Sequence, residues 1–118
     1  MIFYTNTKMD NVLFFTSFLF IFVAIYATKK GLRFYSYAWF LLCFTSILVH
    51  ACGTGHFLDQ VAIYTVVAIG LYHFIYSGFQ IIPILCFAAC IIGYYIISIH
   101  HAWIHLLSMI GHTVIMYN

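Results

Sequence analysis

Three of the seven histidines fall within six residues, in His100-His101-Ala102-Trp103-Ile104-His105. On a helix, His101 and His105 stand one turn apart on the same face, and two imidazoles so placed can hold one metal ion. A second pair at that spacing, Ser46 and His50, closes an earlier apolar run, and Asp59 follows nine residues later. Together His50, His101 and His105 supply the three nitrogen ligands of an open zinc site, with water in the fourth position and bonds of about 2.0–2.1 Å. Asp59 can then accept a hydrogen bond from that water, with Ser46 one turn below His50. A single histidine at a membrane interface is commonly a polar anchor. It is the combined HxxxH and SxxxH spacing that argues for ligands. His56, His73 and His112 do not join the set and read as structural or interfacial.

The elements that must position these residues come from a very apolar chain. Its 118 residues are 66% hydrophobic, 21% aromatic and 5% charged. A soluble domain carries roughly a quarter of its residues charged, so the expected class is an all-α integral membrane protein. Apolar runs at 11–27, 34–50, 57–76, 80–98 and 100–117 predict a single domain, 1–118, made of about five transmembrane helices. Tyr35, Tyr37 and Trp39 stand near the start of the second run, where an interfacial aromatic belt falls, and Pro83 stands in the first turn of the fourth. The first run lacks a small-residue cleavage motif and is expected to remain as a span. No CxxC pair occurs among Cys43, Cys52, Cys86 and Cys90, which read as small apolar packing residues. A net charge of +2, thinly scattered, gives no footprint for nucleic acid.

Lys29, Lys30 and Arg33 in the first loop predict that it is cytoplasmic. Alternating spans then put the N-terminus, the loop with His50 and Asp59, and the start of the last span on the lumenal or external side. Spans three and five run parallel to each other and antiparallel to span two. His50, Asp59 and His101 therefore share one membrane face whatever the packing.

At this point the residues resemble a known family. Ser46-Ile47-Leu48-Val49-His50, then Phe57-Leu58-Asp59 with Tyr64, then His101-Ala102-Trp103-Ile104-His105 are similar to the three motifs of the alkaline ceramidases. The wider superfamily includes the adiponectin-receptor-like membrane proteins. Residues 3–7 with 11–14, and 101–111, are also similar to that family's first and last spans. The resemblance implies a zinc-dependent amidase that cleaves ceramide to a sphingoid base and a fatty acid. It assigns the Zn2+ to His50, His101 and His105, and places Ser46 and Asp59 in the catalytic positions. Asp59 would act as general base then acid, and Ser46 would support the oxyanion. The family has seven helices, so this chain reads as a shortened bundle, with one helix between the third and the last instead of three. Removing two helices keeps the direction of the last, but it opens the wall of the lipid cavity. A second copy or partner helices could replace the missing spans. The family's acidic calcium-binding segment has no counterpart here, Gln60 follows the aspartate where an acid is common, and Ile104 replaces a tryptophan.

The expected function is therefore hydrolysis of a ceramide-like membrane lipid in an endomembrane of the ER or Golgi type, with the site lumenal. The alternative of a different class is a non-catalytic membrane protein with structural zinc, either receptor-like or an assembly subunit. A b-type haem anchor is a further alternative.

Overall fold

The computed structural model describes residues 11–97 and 100–117, and among these the chain is all helical. Helix α1 is Asn11–Lys29 and α2 is Arg33–Ile47, which runs on into a π-helical turn over Leu48–Cys52. After α3 at His56–Tyr76 comes α4 at Ile81–Ile91, itself extended by a π-helical turn over Ile92–Ile97, and then α5 at His101–Tyr117. Each of the five apolar runs thus holds a helix. The segment at residues 3–7, part of the ceramidase resemblance, lies outside the described residues, as do the last residue of the fourth run and residue 99.

Three of these helices, α1, α2 with its extension, and α3, are long and apolar enough to cross a bilayer. The outward face is apolar too, with Phe15, Phe22, Phe34 and Tyr76 all well exposed. In a bilayer little hydrophobic drive for helix association would remain, and close approach and interhelical hydrogen bonds would supply it. The α1–α2 seam is built that way, with Ser17, Ala24, Ala27, Ser36, Ala38 and Ser46 all buried. Across it Ser36 Oγ donates to the Ala24 carbonyl at 3.1 Å, and Cys43 Sγ donates to the Ser17 carbonyl at 3.4 Å.

Helix α3 buries one narrow stripe, Asp59, Ala62, Val66 and Gly70, spaced three or four residues apart. Helix α5 buries a matching stripe, Ala102, His105, Met109, His112 and Met116. The one acid in α3 and two histidines of α5 therefore face inward by helical period alone. Small ends finish the positioning. Gly53 takes a left-handed conformation (φ 69°) that a side chain would resist, and its N–H closes on the Val49 carbonyl. That turn stops the second helix three residues after His50 and starts α3 close by. Helix α1 runs two residues beyond the expected end, to Lys29, whose cation suits a helix C-terminus.

Candidate metal centre

His50 sits in the π-helical end of the second helix, a geometry recurrent at functional sites because it displaces one residue from the regular register. His101 is the first residue of α5, and His105 follows one turn on. Their rings converge, with centroids 5.6 Å apart for His50 and His101, 5.4 Å for His50 and His105, and 4.8 Å for His101 and His105. One ring nitrogen from each lies within 4.8 Å of the others, so the three could hold a metal ion. Tetrahedral zinc bonded at about 2.0–2.1 Å puts neighbouring nitrogens about 3.4 Å apart, a closure side chains make by small rotations. His50 and His105 are buried and His101 is half-buried, which leaves the group screened from water on most sides.

A hydroxyl from α1 stands behind His105. Thr16 Oγ1 donates to the Leu13 carbonyl at 3.1 Å and lies 2.8 Å from His105 Nδ1. Where Thr16 accepts from Nδ1–H, His105 is the tautomer whose Nε2 lone pair is left for a metal. Replacing Thr16 by Val removes this partner, and the affinity for a metal held by the three histidines should fall about 10- to 100-fold. A chelator competition on purified protein measures it. His100 has a different task, since its Nδ1 accepts the Ala102 N–H at 3.1 Å and caps α5.

Asp59 and Ser46, the two residues read as catalytic from the sequence, are both buried and line one cavity with His101 and His105. Thr45 Oγ1 donates to Asp59 Oδ1 at 2.7 Å, which fixes the carboxylate's orientation. Ser46 Oγ lies 2.6 Å from Ser17 Oγ, and Ser17 donates to the Leu13 carbonyl at 2.7 Å. With Ser17's proton so used, Ser46 must be the donor of that pair. Its lone pairs, not its proton, face the cavity in this arrangement. The cavity measures about 90 Å³, room for a few waters or the reacting end of a ligand and far less than a porphyrin needs.

His56 opens α3 and stays out of the metal group. His73 stacks on Tyr35 near the other end of α3, with centroids 5.3 Å apart and planes 2° from parallel. His112 is buried and hydrogen-bonds Tyr35 through Nδ1, beneath the same cavity. Sequence reasoning missed Thr16, Ser17 and Thr45. The available signal was three small hydroxyl residues inside apolar runs, one of them beside Ser46. A larger cavity, about 680 Å³, lies at the other end between α2 and α3, away from this chemistry. No protein-family model, curated protein or solved structure matches this chain.

Proposed function

We propose that this chain is a membrane-embedded, zinc-dependent amide hydrolase, ceramidase-like, that cleaves a lipid such as ceramide to a sphingoid base and a fatty acid. The observation that carries the reading is the meeting of His50, His101 and His105 beside a buried carboxylate and a buried hydroxyl. An apolar helical bundle has little other use for so many polar groups in one place. His50, His101 and His105 would hold the zinc, which would supply an activated water and polarise a carbonyl oxygen. Asp59, held by Thr45, takes a proton from the attacking water as its oxygen bonds the amide carbon. It returns that proton to the nitrogen as the C–N bond breaks, so amine and acid leave as separate products. Ser46 turns its proton from Ser17 to the oxyanion, at the loss of one hydrogen bond, while Ser17 keeps the Leu13 carbonyl. The substrate enters sideways from the bilayer.

A second reading has an observation of its own. Asp59 and Ser46 each meet a neighbouring hydroxyl, as residues that merely brace metal ligands would. The zinc would then be structural, in a receptor-like or assembly subunit. Purified protein with one zinc per chain, assayed on ceramide and simpler lipid amides, separates the two. The hydrolase reading expects turnover, slowed about a hundredfold or more by Ser46→Ala. Wild-type protein with full zinc that cleaves no lipid amide hands the site to the structural reading.

The basic residues of the first loop support a lumenal or external site and a cytoplasmic C-terminus, and the ceramidase-like reading implies an endomembrane of the ER or Golgi type. Lys30 Nζ donates to the Tyr117 carbonyl at 3.2 Å, so the first loop and the end of α5 lie on the same side. A glycosylation acceptor fused at the C-terminus should stay unmodified when the protein is made in microsomes. Its glycosylation would reverse the orientation.

A further inference from the structure

A second and larger cavity lies away from the three histidines. It is a groove of about 680 Å³, within the usual range for ligand pockets, and it runs between the start of α2 and the second half of α3. Its interior is apolar, from Leu32, Ala68 and Ile69, while Arg33, Tyr72 and His73 supply polar groups. Charge makes this end of the molecule unusual. Lys29, Lys30 and Arg33 crowd the turn from α1 to α2. The only acid among the described residues, Asp59, is buried fourteen residues before His73, about 21 Å away along α3. Among the described residues the one carboxylate is thus remote from these three cations.

We propose that this groove binds one anionic phospholipid, its phosphate on the Arg33 guanidinium and an acyl chain lying between α2 and α3. A guanidinium matches phosphate with two parallel hydrogen bonds, and Tyr72 and His73, which line the same groove, carry further polar groups. Basic pockets between spans at the cytoplasmic leaflet meet anionic headgroups there, and the apolar floor removes acyl surface from competition with bulk lipid. The site depends on the chain being in a bilayer and not on the metal chemistry.

Thermal unfolding of the detergent-purified full chain, titrated with phosphatidylglycerol, tests it. Midpoints should rise with phosphatidylglycerol to a plateau, and should not move with phosphatidylcholine of the same chains or with inorganic phosphate. Arg33→Gln should need about tenfold more phosphatidylglycerol or more. Lys29→Gln, which alters a charge that does not line the groove, should leave the titration unchanged. Ala68→Trp keeps every charge and fills the groove, so it should abolish the plateau. An equal rise with phosphatidylcholine, or a response to phosphate alone, would overturn the site. So would equal losses in Lys29→Gln and Arg33→Gln, or an undiminished titration in Ala68→Trp, since general surface charge would then account for the effect.

Discussion

Asp59→Asn should lower turnover of ceramide by about 10²- to 10⁴-fold while leaving zinc content and helicity unchanged. The substitution is close to isosteric, and an amide oxygen at the Oδ1 position can still accept the Thr45 hydroxyl that Asp59 accepts at 2.7 Å. What it loses is basicity, since an amide neither takes a proton from water nor returns one to an amine. Asp59 is buried in the first turn of α3 and lines the cavity with His101 and His105, so no solvent carboxylate can replace it. Initial rates on a fluorescent ceramide, read beside zinc content and circular dichroism, decide the matter. Turnover within a few-fold of wild type would confine Asp59 to bracing the histidines.

The fold and the site differ in how much of them the sequence carried. The helices were legible because the first three apolar runs are bounded by glycine or charge and the last two part at His100-His101, and a bilayer would permit little besides helix for such runs. The grouping of His50, Asp59 and His101 followed from the direction of three spans alone. The inward aim of Asp59 was readable as well, because Ala62, Val66 and Gly70 continue its stripe with small residues that let α3 approach. The hydroxyl partners were not readable. Thr16 meets His105 across 89 residues of sequence, and no local spacing announces a contact between the first and last helices. Ser46 shows the consequence most clearly. Its position one turn from His50 suggested an oxyanion donor, yet the direction of its proton depends on Ser17, in another helix. The π-helical ending under His50 was also hidden, since the apolar run ends at His50 in the sequence and nothing in Leu48–Cys52 marks a wider turn.

His105→Ala should remove the bound metal. His105 is the most constrained of the three ligands, buried and fixed by Thr16 from behind. Two imidazoles remain in the variant, too few for an open three-histidine site. The fold should persist, because Thr16 keeps its bond to the Leu13 carbonyl and the rest of the α5 stripe still packs. Hydrolysis should fall with the metal, which Asp59→Asn should not affect, and that contrast separates ligand from base.

The most direct test is zinc per chain, measured by mass spectrometry of the metal in detergent-purified wild type and in the His50, His101 and His105 alanine variants. The account predicts about one zinc in the wild type, as a single three-histidine site holds, and little in any of the three variants. Wild type without zinc after purification in its presence, or variants that keep it undiminished, would contradict it.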